Sequence, residues 1–211
     1  MSHPSTTPFL VLHGVRLKGF AEPNALASLF ALDENDVTAE LKVLADAGLV
    51  HHREGRVSGW SLTPEGRAAH TQMAAEEVDQ ADVRPAIKDA YERFLDLNAD
   101  LLGACTSWQL RTVAGAQVVN DHDDPEYDFT VIESLAAVHE RVRPVLEMLG
   151  EALDRFGHYP TRLESALQHV RNGATEWFTR PLIDSYHTVW FELHEDLLST
   201  LGLQRAAEGR G

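Results

Sequence analysis

Apolar residues recur at helical spacing along most of this chain, and nearly every such stretch is bounded by a cap or a stop. In 33–48, Val37, Leu41 and Leu44 are spaced four and three apart and so share one helix face. Asp33 can accept a bond from a free N–H at the start, and Glu34 and Asp36 favour the positive end of the helix dipole. Gly48 supplies the residue that takes positive φ past the end. Two short runs, 49–53 and 56–62, then flank Glu54-Gly55, a two-residue connection suited to a hairpin. Thr63-Pro64 opens a new helix, since proline lacks only an N–H that would be unbonded there anyway. Two helices precede this unit, one near 8–19 behind Thr7-Pro8 and one near 24–31. In the second, Asn24 can cap and Leu26, Leu29 and Phe30 form the stripe.

After residue 78 the character changes. Glu76, Glu77, Asp79 and Asp82 make an acidic seam before Pro85, which places a domain boundary between 1–78 and 79–205, with 206–211 as a disordered tail. Nothing beyond the boundary reads as a strand. Ile87, Tyr91, Phe94, Asn98, Leu101, Cys105 and Trp108 step by four and three through a helix of 83–112. A second helix spans 128–155, with Pro144 predicting a kink or break inside it. Shorter helices follow at 160–171 and 182–202. Four helices with short links predict an antiparallel bundle. The fold class is therefore mainly α, with three helices and a hairpin ahead of that bundle.

The order helix, Gly stop, hairpin, Thr-Pro helix resembles a winged helix-turn-helix. Residues 8–70 are similar to the N-terminal domain of MarR-type bacterial regulators. The residues that carry the likeness are Leu41, Leu44, Ala47-Gly48-Leu49-Val50, the Arg53-Glu54-Gly55-Arg56 tip, and Leu62-Thr63-Pro64-Glu65-Gly66-Arg67. The resemblance covers about a third of the chain and does not extend to the MarR dimerisation helices. It implies a reading helix in the DNA major groove, a hairpin wing on the backbone, and a homodimer whose symmetry matches a palindromic operator.

Charge complicates that implication. The formal net charge is −15, and residues 1–75 carry six Lys/Arg against eight Asp/Glu. DNA binding depends on neutralising phosphates, so distribution has to supply what the total does not. Arg53 and Arg56 bracket the wing tip, Thr38 and Lys42 can face outward from the reading helix, and Arg16 and Lys18 can reach the DNA backbone. Asp36 and Glu40 on that same helix favour the alternative, a winged-helix adaptor that binds a protein and no DNA. A single cysteine, Cys105, precludes an internal disulfide framework. No leader pattern opens the chain and no run approaches 18 apolar residues, so a cytoplasmic protein with no membrane partner is expected.

Candidate chemistry lies in the helical half. Along 185–196, Tyr186, His187, Trp190 and His194 stand on or beside one stripe. With Asn98 and Trp108 they form either the wall of an effector pocket or a core seam edged by histidines. His187 and His194 are two turns apart, roughly 10 Å, too far to share one metal ion without bending. Glu192 and Glu195 project to other sides. The inward positions of Asn98, Cys105 and Gln109 need partners, which a ligand, a dimer interface or water can supply. The acidic stretch 120–128 reads as a loop in which Asp124 caps the next helix; the alternative is a metal or ligand contact through His122 and Asp124. No phosphate-binding Gly loop, nucleophile elbow, CxxC or HExxH is present, so neither enzymatic activity nor a cofactor is expected. The sequence thus predicts a DNA-binding transcriptional regulator, a homodimer on operator DNA with a small-molecule effector.

Overall fold

A computed structural model describes residues 2–55 and 58–203; Arg56 and the expected 206–211 tail lie outside these. Among the described residues the chain is mainly helical, with eight α-helices and two two-stranded antiparallel hairpins. The elements up to Ala81 are α1 (Thr7–Lys18), α2 (Pro23–Phe30), α3 (Glu34–Asp46), β1 (Val50–Arg53), β2 (Gly59–Leu62) and α4 (Pro64–Ala81). Val11, Leu12, Val15, Leu26, Val37, Leu41, Leu44, Val50 and Leu62 bury their side chains in one cluster at the centre of this group.

The caps work as the residue types require. Asp33 accepts from the N–H groups of Asn35 and Asp36, and Thr63 Oγ1 accepts from Gly66 N at 2.9 Å. That second cap needs the glycine: a Cβ at Gly66 would lie 1.9 Å from the carbonyl oxygen of Leu49. Asn24, by contrast, sits inside α2 and Glu22 occupies the cap position, because Pro23 takes the first turn. The hairpin connection is also longer than two residues. Pairing ends at Arg53↔Gly59, leaving 54–58 as the link. Trp60 is held from both sides, by His52 in β1 and by Ala21, whose N–H donates to Trp60 O at 3.0 Å, and this fixes where β2 begins.

The second group is α5 (Arg84–Gln109), β3 (Leu110–Val113), β4 (Ala116–Val119), α6 (Pro125–Ala152), a 3₁₀ turn (Asp154–His158), α7 (Tyr159–Arg171) and α8 (Tyr186–Leu201). These helices enclose the larger apolar cluster, with Phe94, Leu101, Leu135, Leu149, Phe156, Tyr159 and Leu193 fully buried. The expectation of no strand beyond residue 78 is corrected here: α5 stops at Gln109 and 110–119 is a hairpin. Ala114 and Gly115 both take positive φ, +49 and +84, the two-residue turn that matches strand twist. Pro144 does not break α6. It is exposed, so water can bond the carbonyl freed by the missing N–H, while Val142, Val145, Leu146 and Leu149 anchor the opposite face. The last helix begins at Tyr186, where Ser185 caps Thr188 N.

The line at 78/79 falls within α4, and Val78 already packs into the larger cluster. The two groups meet where α1 and α4 pack on α8 and where α2 meets the 3₁₀ turn.

Candidate functional site

The outer face of the first group is built by α3 and the hairpin. With Val37, Leu41 and Leu44 turned inward, Lys42 is exposed and Thr38 half-buried. Arg53 is exposed at the end of β1. Exposed Glu34, Asp36 and Asp46 share the helix, and Val43 is 60% exposed. Arg16 and Lys18 pair with carboxylates on another element, Arg16 while still partly exposed. The last turn of α1 faces α8, where Arg16 pairs with Glu195 at 3.7 Å and Lys18 with Glu192 at 2.7 Å and Asp184 at 3.5 Å.

The residues expected to wall a pocket are packed ring on ring. Trp190 stacks on Phe94 with centroids 4.6 Å apart, and its Nε1 donates to Asn98 Oδ1 at 3.0 Å, which gives that inward polar group its partner. His194 lies beside Phe94 and Tyr91. Tyr186 is fully buried, its hydroxyl 3.3 Å from His139 Nδ1, and burial pushes its pKa well up. Trp108 stands apart from them, stacked on Phe178. His187 is half-buried and its ring pKa is lowered by burial. Burial also pushes the Cys105 thiol up to about 12, so it stays protonated. Gln109 is exposed at the end of α5, not inward.

The acidic stretch closes on itself. His122 Nδ1 is 2.9 Å from Asp128 Oδ2, and Asn120 Nδ2 donates to Asp128 Oδ1 at 2.7 Å. Asp124 Oδ1 accepts from Tyr127 N at 3.1 Å, the cap expected of it, and its other oxygen lies 3.5 Å from Arg111. His122 and Asp124 are thus engaged separately. Among the described residues no group of three or more His, Cys, Asp or Glu could hold a metal ion.

The densest chemistry lies elsewhere, in the seam between the two groups. Arg155, fully buried in the 3₁₀ turn, donates through Nε to Glu77 Oε2 at 2.9 Å, through Nη1 to Asp196 Oδ1, and through Nη2 to Thr200 Oγ1 at 2.7 Å. Tyr159 donates its hydroxyl to Asp196 Oδ2 at 3.0 Å. His13 completes the cluster, with Nε2 3.2 Å from Asp196 Oδ1 and Nδ1 2.8 Å from His70 Nε2. Arg162 forms the neighbouring knot, forked onto Asp184 at 2.9 Å through both Nε and Nη2 and reaching Glu192 Oε2 at 2.6 Å. Glu192, which projects away from the aromatic stripe, is therefore buried here, 5% exposed.

Burial and charge act against each other in this seam. Burial alone would raise the Asp196 carboxyl, but Arg155 and His13 beside it hold it well below the usual carboxylate range. Burial would lower the Arg155 guanidinium, and Asp196 and Glu77 hold it above its ordinary value. For the histidines burial outweighs the opposing pull of Asp196. Burial, helped by His13, pushes His70 down to about 2; burial and Arg162 push His158 down to about 3.

Beside this network runs a groove of about 460 Å³ between α2 and the start of α7, lined by Leu10, Leu29, Phe30, His158 and Thr161 among others. Sequence reading missed the whole seam. The signal was present: Glu192, Asp196 and Thr200 are spaced by four within an apolar helix, and His70, Ala74 and Glu77 lie on one stripe of α4. No family model, no curated protein and no solved structure matches the chain. No helix among the described residues is long and apolar enough to cross a membrane.

Proposed function

We propose that the chain is a cytoplasmic DNA-binding transcriptional regulator that works as a homodimer. Residues 1–78 act as a MarR-like winged helix-turn-helix, α3 entering the major groove and β1–β2 serving as the wing. The antiparallel bundle of α5–α8 dimerises and holds an effector. One observation carries this reading: α3 buries Val37, Leu41 and Leu44, leaves Lys42 exposed and Thr38 half-buried, and is followed at once by a hairpin with Arg53 exposed. With Arg16 and Lys18 committed to α8, the basic surface is small, so affinity depends on two copies acting together.

The test is a mobility shift on the gene's own upstream region across a salt series. A salt-sensitive complex is expected, and Lys42→Ala with Arg53→Ala should flatten the dependence of log K on log salt by about 2 per protomer. No complex at low salt overturns the proposal. In that event the second reading stands, an adaptor that offers α3 to a protein partner. Its supporting observation is the exposed apolar Val43, with exposed Asp46 one turn and exposed Asp36 two turns along the same helix face.

A further inference from the structure

We propose that the outer edge of β4 pairs antiparallel with β4 of a second copy, so that two hairpins join into one four-stranded sheet across a two-fold axis at Val118. The proposal rests on the homodimer of the regulator reading and names the surface that makes it.

Charge sets this region apart. From Leu101 to Asn120 the chain carries one charged residue, Arg111, in a protein that is 24% charged. Arg111 is already paired, with Asp121 at 3.1 Å and Asp124 at 3.5 Å. Every residue of β4 is nonetheless exposed, Val119 by 74%, and Val113 of β3 is exposed beside them. Edge strands open to water ordinarily carry a lysine, a proline or a bulge that blocks further pairing. Ala116-Gln117-Val118-Val119 has none of these. Two strands alone are marginal in water, and a wider sheet is the usual remedy.

The hydrogen-bond pattern says what fits the edge. Asn120 N donates to Gln109 O at 2.9 Å, and the two-residue turn closes on Val113↔Ala116, so Arg111↔Val118 between them is a hydrogen-bonded pair. Gln117 and Val119 are the alternate positions, and their N–H and C=O groups point away from β3. Among the described residues nothing bonds them. The opposite edge of the hairpin is covered at Leu110, whose carbonyl accepts from the Tyr127 hydroxyl at 3.2 Å. Gln117 and Val119 stand symmetrically about Val118. A two-fold there sets Gln117 against the second copy's Val119, and Val119 against the second copy's Gln117. All four outward groups of each strand then find partners. The same axis brings the two Val118 side chains together, with Val113 and Ala116 on the same face of the sheet.

Charge also selects the orientation and the occupant. Asp121, Asp123, Asp124 and Glu126 follow β4 directly. In the antiparallel register six residue steps, about 20 Å, separate Asp121 from its counterpart, beyond the Debye length of about 8 Å. A parallel register would lay the two acidic segments side by side. The strand itself is neutral, so it matches its own neutral copy and offers no counter-charge to a charged foreign segment.

The experiment uses the full chain without DNA. Sedimentation equilibrium should find a dimer in the wild type. Val119→Pro removes an N–H that faces the second copy and leaves the hairpin's own bonds intact. It should raise the dimer Kd about thirtyfold, the worth of two hydrogen bonds, with the circular dichroism unchanged. Under mild oxidation Val118→Cys should give a covalent dimer, since residues opposed at a non-hydrogen-bonded pair are about 4.5 Å apart at Cα. Gln117→Cys should not, because its counterpart lies two residues out of line, beyond the roughly 7 Å that a disulfide spans. Cys105 is buried and does not compete. Should Val119→Pro misfold, the two cysteine variants decide. A monomeric wild type, a dimer untouched by Val119→Pro, or Gln117→Cys linking as readily as Val118→Cys would each overturn the proposal, and a monomer would leave the edge to a foreign strand. A dimer that survives Val119→Pro and still shifts operator DNA removes this interface alone. A dimer joined through β4 that shifts no DNA removes the operator reading alone.

Discussion

Lowering the pH from 7.5 to 5.5 should remove about 3 kcal/mol of folding stability through two side chains, His70 and His158. Burial lowers them from 6.5 to about 2 and about 3 respectively, so both remain neutral in the folded protein at pH 5.5. In the unfolded chain they titrate near their ordinary value of about 6.5 and take up protons. The unfolded state then binds more protons than the folded one, and stability falls as the pH falls. One unit below the unfolded pKa, each imidazole favours the unfolded chain by RT ln 11, about 1.4 kcal/mol, and further acidification adds about as much per unit. His13, also lowered by burial, acts in the same direction. Asp196 works in a later window. Its depressed carboxyl contributes stability that is intact above its unfolded value and is lost only as the pH drops below about 4. A total stability of about 5–15 kcal/mol makes the first loss easy to read. Urea unfolding followed by circular dichroism and tryptophan fluorescence at pH 7.5, 6.5 and 5.5 should show it, and His70→Gln should reduce the loss by about 1.4 kcal/mol. Stability level to within about 0.5 kcal/mol across that range would refute the argument, because it would mean these rings are protonated in the folded state.

Two other substitutions test the frame that positions the seam. Arg155→Met strands Asp196 and Glu77 as buried, unpaired carboxylates and should cost about 3–5 kcal/mol in urea unfolding. Combining it with Asp196→Leu and Glu77→Leu should recover most of that loss, and no recovery would show that packing, not charge, is at stake. Gly66→Ala places a methyl against the Leu49 carbonyl and should destabilise by about 1–3 kcal/mol; a neutral result in the same assay would mean that α4 shifts freely on the hairpin.

The legible parts of the molecule were those whose signals are local. Asp33, Val37, Leu41, Leu44, Gly48 and Thr63-Pro64 lie within a few residues of the bonds they make, and the structure puts them where their spacing predicts. The β3–β4 hairpin was hidden because no Gly or Pro marks the end of α5 before Leu110, while its turn is Ala114-Gly115 and lacks the usual Asn or Asp. Of the kink or break that Pro144 predicts, the break does not occur, since on a solvated helix face water can replace the bond the proline forfeits. The seam was illegible for a different reason. Arg155 meets partners 78 and 41 residues away, and a charge whose partner is that remote looks like any solvated charge. The aromatic–histidine stripe of α8 was located correctly, yet whether such a stripe faces a cavity or a neighbouring helix depends on Phe94 and Asn98 in α5, which spacing along α8 does not encode.

Placing ion pairs, not leucines, between the two groups of helices has a mechanical consequence. A buried ion pair adds little net stability over an apolar contact of the same volume. It does demand one partner in one place. Sliding α8 by a turn, about 5.4 Å, against α1 and α4 would move Asp196 and Glu192 away from Arg155 and Lys18 and leave several charges dry and unpaired. An apolar seam would tolerate such a slip far better, because leucine packs against leucine in many registers. Full separation is a different case, since water solvates the parted charges and repays much of what the broken pairs lose. The seam therefore specifies one docked arrangement sharply while holding it with moderate strength. A contact of that kind can be biased by the few kcal/mol that a small ligand supplies, and the groove beside His158 lies along its edge.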